Sequence, residues 1–402
     1  MKKYLPHSLI LYCAIFNSAT AQISSSQLLG QLNTITTAVP FLLITPDSRA
    51  GGMGDAGCAT SPDVWSTHWN PSKLAFAENK MGLSIAYTPW LRSLVPNINL
   101  AYLSFYYKPN TKGTFSTSFK YFSLGNITFT NATGVPIGQY KPWELAYDIG
   151  YARLLSRKFS IALSARYILS NLTSGVPVNG AASHNGESIA GDLSANYRKA
   201  SLLLGKYMRL STGINISNVG SKMSYTNTGN KDFIPINLRI GQAFDIVLDD
   251  YNSISFTFDL NKLLVPTPQP PVTTPGITTY PVYPTVPQGM LQSFTDAPGG
   301  MREELNEIII CGGLEYWYGK PKIFCARMGY FNEAATKGNR KYFTFGIGVK
   351  YNQFGLDVAF LVPTVQRNPL QNTLRFNLTF DFGGKFVPKP THHFIEQPEI
   401  EK

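Results

Sequence analysis

The sequence predicts an all-β protein, namely a transmembrane antiparallel β-barrel of about 14 strands with a short helical N-terminal plug. From about residue 82 onward, apolar and polar residues alternate in one segment after another, which is typical of strands with two different faces. Short and long connections alternate between these segments. After residue 21, no apolar run reaches the roughly 20 residues that a transmembrane helix needs. With 15% charged and 44% hydrophobic residues, the composition also argues against disorder and coiled coil.

The first 21 residues have the features of a secretory signal peptide. Lys2 and Lys3 precede the apolar stretch 9–16, and the small residues at positions 19 and 21 form a cleavage site. We therefore expect the mature chain to begin at Gln22 and to be exported.

Cysteine count and charge narrow the function classes further. Removal of Cys13 with the signal peptide would leave Cys58, Cys311 and Cys325, an odd number that cannot form a complete disulfide framework. We interpret them as small packing residues and keep a 311–325 disulfide as the alternative.

The formal charge of +11 falls to +9 without residues 1–21, which hold two Lys and no acidic residue. Because the basic residues are scattered and the chain is exported, we expect no nucleic-acid partner.

The alternating segments define the barrel. We predict strands at 82–89, 98–107, 113–123, 143–154, 158–169, 187–197, 202–217, 235–246, 252–261, 306–318, 321–331, 341–350, 353–361 and 373–382. The short connections lie at 108–112, 155–157, 198–201, 247–251, 319–320 and 351–352. An even strand count with short turns on one side predicts an outer-membrane barrel whose termini both lie in the periplasm. Strand side chains alone cannot fill so wide a barrel, so the apolar face should meet lipid and the polar face a lumen.

Residues 22–80 do not alternate, and we assign them to a plug inside the barrel of residues 81–383. Two helix-start signals occur there: the run Ser61-Pro62-Asp63, and Asn70 before Pro71, which predicts a short helix over 71–76. The glycine-rich run 47–57 lacks the preceding strand and the Gly-Lys-Ser/Thr ending of a phosphate-binding loop. We interpret this run as tight turns packed in the pore, and residues 384–402 as a periplasmic C-terminal tail.

Several long motifs occur in one order along the mature chain. They are PDSRAGGMGDAG at 46–57, HWNPSKLAF at 68–76, SIAYTPWL at 84–91, NKLLVPTP at 261–268, EYWY at 315–318, GNRKYFT at 338–344 and LVPT at 361–364. Through these motifs the chain resembles the PorV family of the Bacteroidetes type IX secretion system. The plug residues of the first two motifs that we single out are Asp47, Arg49, Trp69, Asn70 and Pro71.

The resemblance implies a fourteen-stranded barrel similar to the FadL-type fatty-acid channels, but serving protein export. It implies binding to the large translocon SprA/Sov and to cargo that carries a C-terminal secretion domain. It also implies delivery of that cargo to the attachment machinery that includes the PorU sortase. The implied role needs outer-membrane lipid around the barrel, but no catalytic residue, cofactor or metal.

The connection over 262–305 is far longer than the others and rich in proline. By the alternation of turns it lies outside the cell, and Pro-rich chain is stiff, so it loses little entropy on docking. We hypothesise that it contacts the translocon or the cargo through proline and large apolar anchors. The candidate residues are Pro266, Pro268, Tyr280, Tyr283, Met290, Leu291 and Phe294. The alternative is a surface loop that is disordered or packs on itself.

Two other functions stay open. A FadL-like barrel could transport small hydrophobic molecules, an expectation by analogy of fold alone. Lipopolysaccharide deacylation has little support in the sequence, because the Gly-x-Ser-x-Gly nucleophile motif is absent. Only four histidines remain in the mature chain, and His68, between two tryptophans, is typical of a packed residue. We therefore do not expect an enzyme.

Overall fold

The computed structural model of the protein describes residues 33–385 apart from 93–94, 96, 132, 178–180, 228–230, 270–271, 275–276, 280–283 and 366–367. The predicted signal peptide (1–21), the first part of the predicted plug (22–32) and most of the predicted tail (386–402) lie outside the described residues.

The described residues form a closed antiparallel barrel of 14 strands and two separate hairpins. In chain order the strands are β1 (Asn79–Pro89), β2 (Asn99–Tyr107), β3 (Gly113–Ser123), β4 (Ile127–Thr130), β5 (Pro136–Tyr140), β6 (Trp143–Leu154), β7 (Phe159–Asn171), β8 (Gly186–Leu203), β9 (Lys206–Gly220), β10 (Asn237–Val247), β11 (Asn252–Leu263), β12 (Val272–Thr274), β13 (Ile277–Thr279), β14 (Ile309–Tyr318), β15 (Phe324–Asn332), β16 (Lys341–Tyr351), β17 (Phe354–Pro363) and β18 (Leu374–Lys385). Strands β4–β5 and β12–β13 form the hairpins, and pairing of β1 with β18 closes the barrel. The predicted fold class is thus confirmed.

Each predicted strand coincides with one barrel strand, but one turn was placed wrongly. The predicted turn at 198–201 lies within β8, which continues to pair with β9 until Leu203 meets Lys206. The connection is only Leu204 and Gly205, whose φ angles of 49° and 76° give the left-handed backbone that a two-residue hairpin needs. Leucine is an unusual residue in that conformation, so the sequence carried no hairpin signal here. The two separate hairpins were not predicted either.

The two faces of the wall differ as the alternation predicts. In β8, Ile189 on the outer face is 69% exposed, whereas Asp192 on the inner face is 3% exposed. The outward side chains of the other barrel strands are likewise mostly apolar, and buried Ser, Thr, Asn, Asp and Arg residues face the interior. This is the arrangement of a barrel that contacts lipid outside and polar groups inside. No helix among the described residues has the length and apolar character to cross a membrane.

Residues 33–78 run inside the barrel as short helices joined by turns. The helices are Pro40–Leu43, Ser48–Gly51, Ser66–Trp69 and Pro71–Phe76, of which the first and last are 3-10 helices. The helix predicted over 71–76 is confirmed, with the Asn70 side chain accepting from the Ser72 amide at 3.2 Å. The start predicted at 61–63 is wrong, because helix begins only at Ser66. Instead of capping a helix there, the side chains of Ser61 and Asp63 bind Arg49, each at 2.7 Å.

The three cysteines of the described chain are free and buried. Strand register places Cys325 opposite Trp317 and Cys311 opposite Phe331. The packing interpretation is confirmed, and the 311–325 disulfide kept as an alternative is not formed.

Candidate functional site

Arg49 joins the plug to the barrel wall through buried charges. Its guanidinium pairs with Asp63 of the plug at 2.7 Å and with Glu315 of β14 at 2.8 Å. Glu315 also binds Arg327 of β15 at 2.8 Å, and Arg327 binds Asp357 of β17 at 2.6 Å. Charge-assisted bonds in a buried, low-dielectric setting are strong but depend on every partner being present. This network therefore connects one side of the plug to strands β14, β15 and β17.

Asp47 links the two plug motifs to each other. One carboxylate oxygen accepts from the Ala50 amide at 2.8 Å and so caps the helix Ser48–Gly51. The other accepts from the indole nitrogen of Trp69 at 2.6 Å. Burial, assisted by the charge of Asp63, raises the pKa of Asp47 to about 6, although the bonds from Trp69 and Ala50 oppose the shift. The Asp47 carboxylate thus connects the helix Ser48–Gly51 to Trp69 within the plug.

Trp69 and Asn70 contact other strands of the wall, β10 and β8. The guanidinium of Arg239 on β10 lies 4.5 Å from the centre of the Trp69 ring, a cation–π arrangement. The Asn70 amide donates to the backbone oxygens of Cys58 and of Ala195 in β8, both at 3.1 Å. Pro71 is buried at the start of the helix that follows, where a missing backbone N–H costs nothing.

A wall carboxylate holds the turn of the first plug motif. One oxygen of Asp259 on β11 accepts from the amides of Gly57 and Cys58, both at 2.8 Å. Lys73 closes the same turn from the plug side by donating to the Gly57 carbonyl at 2.6 Å, and burial lowers the pKa of this lysine. The glycine-rich run 47–57 thus consists of the short helix Ser48–Gly51 and the turns that follow it, held in the pore by polar side chains.

Glycines in the wall let the plug backbone approach closely. A Cβ atom built on Gly329 of β15 would lie 2.1 Å from the amide nitrogen of Gly54. One built on Gly313 of β14 would lie 2.4 Å from the Cβ of Met53. No larger side chain fits at either wall position without moving the plug.

Of the plug residues singled out from the sequence, Arg49, Trp69 and Asn70 contact the wall, but the wall residues that bind the plug were missed. These are Lys120, Arg239, Asp259, Glu315 and Arg375. Lys120 of β3, for example, donates to the carbonyls of Leu42 and Ile44 at 3.0 and 2.7 Å. The available signal was a charged residue at an inward strand position, which cannot identify its partner in the plug.

The long connection between β11 and β14 is tied to the barrel by a cluster of ion pairs. Lys262, near the end of β11, binds Glu307 at 2.6 Å and Glu304 at 3.1 Å. Lys337, between β15 and β16, binds Glu307 at 2.9 Å and Glu303 at 2.6 Å. The described part of the connection includes the helices Val286–Gln292 and Met301–Asn306. The loop is therefore more folded than the extended chain that its proline content predicts.

The candidate partner-binding residues of this loop differ in accessibility. Pro266 is buried, and Pro268 and Met290 are half-buried. Leu291 and Phe294 are 76% and 45% exposed, whereas Tyr280 and Tyr283 lie outside the described residues. Two further large apolar side chains, those of Met301 and Leu305, are also exposed and were missed in the sequence. We call Leu291, Phe294, Met301 and Leu305 the loop patch.

A cavity of about 420 Å³ lies between the plug segment 34–45 and the wall, beneath this loop. Its apolar lining includes Trp69, Trp90, Phe331 and Leu370, and Arg239 is among its polar groups. The cavity mixes aromatic surface with a few charged groups, as small-molecule pockets do.

His68 does not assemble with a nucleophile in the described chain. Its ring lies edge-on to Trp69 with centroids 5.0 Å apart, and burial holds its pKa well below the usual range. Asp63 and Ser66 hydrogen-bond to each other at 2.9 Å. Within the described residues, no group of His, Cys, Asp and Glu side chains has the arrangement of a metal site.

Several solved structures are similar to this one. They include the toluene transporter TodX of Pseudomonas putida, with 10% identity, 82% of this chain and 95% of that chain covered and a TM-score of 0.47. The toluene transporter TbuX of Ralstonia pickettii has 12% identity, coverages of 84% and 98%, and a TM-score of 0.45. A Pseudomonas aeruginosa FadL homologue has 9% identity, coverages of 87% and 99%, and a TM-score of 0.43. These likenesses support no inference about what this chain binds.

Comparison with curated protein sequences found no match. The family model described as "Type IX secretion system protein PorV" matches residues 27–270, which is more than half of the chain. The match contains four of the seven motifs recognised in the sequence and confirms the resemblance that they indicated. The chain therefore belongs to the PorV family and is an outer-membrane component of the type IX secretion system.

Proposed function

We propose that this barrel is a cargo carrier of the secretion system. It binds a SprA/Sov-type translocon, accepts cargo bearing a C-terminal secretion domain and delivers it to the attachment complex with its PorU-type sortase. In this proposal both ends of the wall, Asn79 and Lys385, face the periplasm, so the loop patch lies outside the cell. The barrel performs no chemical step.

The main observation behind the proposal is that the apolar side chains of the loop patch are exposed on a loop whose position is fixed by ion pairs. Lys262, Lys337 and Glu307 form buried ion pairs that hold the loop in place, so little ordering entropy is lost when a partner docks. Large apolar side chains that stay exposed on such a support are typical of protein–protein contacts. Burying one of them on a partner contributes about 2 kcal/mol.

The filled interior supports a carrier rather than a conduit for protein. Buried bonds from Arg49, Asn70 and Gly57 reach the wall strands β14, β8 and β11. Passage of a polypeptide would require breaking these contacts together, each at a cost of about 1–3 kcal/mol. Cargo is therefore proposed to bind the outside of the barrel at the loop end.

Point variants of the loop patch test the proposal directly. We expect Leu291→Ser with Phe294→Ser to reduce co-purification of the translocon and of cargo with the tagged barrel from outer membranes. Both side chains are exposed, so the barrel should fold normally. The matched control is Leu155→Ser with Leu204→Ser, which removes two exposed leucines at the opposite end of the barrel. Equal recovery of partners with both double variants would contradict the proposal.

The second candidate function, transport of small hydrophobic molecules, is favoured by the 420 Å³ cavity. Its aromatic lining could hold a single apolar molecule beside Arg239. Native mass spectrometry of the purified barrel tests this possibility: a bound lipid that is lost in a Phe331→Glu variant would support it. Recovery of the barrel without any lipid would count against it.

A further inference from the structure

A second, larger cavity opens at the other end of the barrel, where the short turns lie. It measures about 730 Å³ and lies between the plug segment 61–78 and the wall. The aromatic rings of Trp65, Phe76, Tyr106 and Trp317 form part of its lining. We call this cavity the turn-end vestibule. It is separate from the loop patch.

The vestibule has an excess of positive charge. Six cations line it, namely Arg49, Arg198, Arg209, Lys322, Arg327 and Lys350, against the four carboxylates of Asp63, Glu78, Asp357 and Asp381. Arg49, Arg327 and Lys350 form ion pairs with three of those carboxylates.

The other three cations form no ion pair within the part of the chain that the structure describes, and each lies beside an aromatic ring. Arg198 lies 5.1 Å from the ring centre of Phe76, and Lys322 lies 5.6 Å from that of Trp317. Arg209 lies 5.9 Å from the ring of Tyr207 and donates to its hydroxyl at 3.4 Å. Three cations beside aromatic surface, without a carboxylate partner among the described residues, match a ligand that is both acidic and apolar.

The β8–β9 hairpin extends this surface beyond the cavity. Pairing of Leu202 with Tyr207 and of Ala200 with Arg209 sets these side chains on the same face as Arg198. Leu202 and Tyr207 are both exposed. An extended peptide could therefore contact basic groups and apolar groups in turn along the hairpin.

The sequence holds a segment with this chemistry directly after β18, whose residues Phe382 and Gly384 line the vestibule. Residues 386–402 lie outside the described residues and include Glu396, Glu399 and Glu401 among Phe394, Ile395 and Ile400. The roughly ten residues between Lys385 and Glu396 can span about 35 Å when extended. Distance therefore does not prevent the acidic stretch from reaching the cavity.

We propose that residues 394–401 of the chain bind in the turn-end vestibule. The glutamate carboxylates pair with Arg198, Arg209 and Lys322, and the phenylalanine and isoleucines cover the exposed aromatic and aliphatic surface. Any other molecule that binds in the vestibule must therefore displace this segment.

Photo-cross-linking in the full-length protein tests this proposal. A p-benzoylphenylalanine replaces Phe394, the purified barrel is irradiated in detergent, and cross-linked peptides are mapped by mass spectrometry. We expect intramolecular cross-links to vestibule residues such as Trp317. The variant R198Q/R209Q/K322Q should lower their yield about tenfold, since three partly exposed ion pairs are lost together.

Two further variants make the result of the cross-linking experiment interpretable. The control K158Q/K199Q/K206Q removes the same charge from exposed lysines at the same end that do not line the cavity, and it should leave the yield unchanged. The variant E396Q/E399Q/E401Q should reproduce the loss without altering the wall, so it remains informative if the arginine variant fails to fold. Cross-links only to other surfaces, to a second copy or to another protein would overturn the proposal, as would equal yields in all variants.

Discussion

Arg49 of the plug and Glu315 of β14 form a two-pronged ion pair, in which Nε and Nη2 donate to the two carboxylate oxygens over 2.9 and 2.8 Å. The planar guanidinium matches the carboxylate in both distance and direction. Because Glu315 also accepts from Arg327 at 2.8 Å, the same carboxylate holds the plug and two wall strands. Plug docking and wall structure are therefore coupled at this residue.

Arg49→Met should loosen the plug while the barrel stays closed. Removing one member of a buried ion-pair network costs about 3 kcal/mol, and the wall pairing does not involve this residue. Limited proteolysis should therefore cut residues 33–78 faster than in the unmodified protein, with unchanged barrel mobility on unheated gels. Arg340→Met is the control, because Arg340 pairs with Glu333 but its side chain is 44% exposed. Equal cleavage of the two variants would show that the Arg49–Glu315 pair does not hold the plug.

Asp47 should make stability depend on pH. Burial raises its pKa from 3.8 to about 6 in the folded protein. Between these values the folded protein keeps a proton that the unfolded chain releases, so the free energy of unfolding falls as pH rises from about 4 to about 6, by about 3 kcal/mol at most.

Asp47→Asn cannot titrate and provides the comparison. Urea unfolding in detergent, followed by tryptophan fluorescence between pH 4 and 7, should show a difference between the two proteins that changes across this window. Parallel stability curves would contradict the assigned role of Asp47.

Asp259→Ala should expose the turn at Gly57 and Cys58 to exchange. It removes the acceptor of two buried amides, and each amide left without a partner costs about 1–3 kcal/mol. Hydrogen–deuterium exchange should become at least about tenfold faster in a peptide covering these residues. Asp249→Ala, in an exposed turn, is the control and should leave that peptide protected. Unchanged exchange in Asp259→Ala would indicate that the carboxylate does not hold the turn.

Gly329→Ala should prevent normal plug docking. The added methyl group would lie 2.1 Å from the amide nitrogen of Gly54, which is far below any van der Waals contact. At Gly355 of β17, the nearest atom to an added methyl group is 3.6 Å away, so Gly355→Ala should be tolerated. Yields of heat-modifiable barrel and protease resistance of the plug distinguish the two variants. A fully protected plug in Gly329→Ala would contradict the close packing described here.

The barrel could be predicted from the sequence because lipid and lumen impose opposite chemistry on successive residues. This rule does not depend on which strands touch, so the alternation in β18 predicts a strand without any knowledge of its partners. The turn at Leu204 escaped prediction because its left-handed backbone is set by strand pairing on both sides rather than by a turn-forming residue.

The plug residues were recognisable as motifs, but their partners were not. Arg49 and Glu315 are 266 residues apart. The local sequence around an inward-facing glutamate does not indicate which arginine will pair with it. The same limit applied to Asp63, which has the position of an acidic residue in the first turn of a helix but binds Arg49 in three dimensions. Local patterns therefore identified the elements, and long-range charge pairing determined the site.

The seam between β1 and β18 has a consequence for the order of assembly. It joins residues such as Tyr87 and Phe376, about 290 positions apart, and contacts of such large sequence separation form late and slowly. The segment 33–78 emerges before every wall strand and binds residues from Lys120 to Arg375. We therefore expect the segment 33–78 to act as an internal template for the wall. Pairing of the first and last strands then completes a structure that is already organised from within.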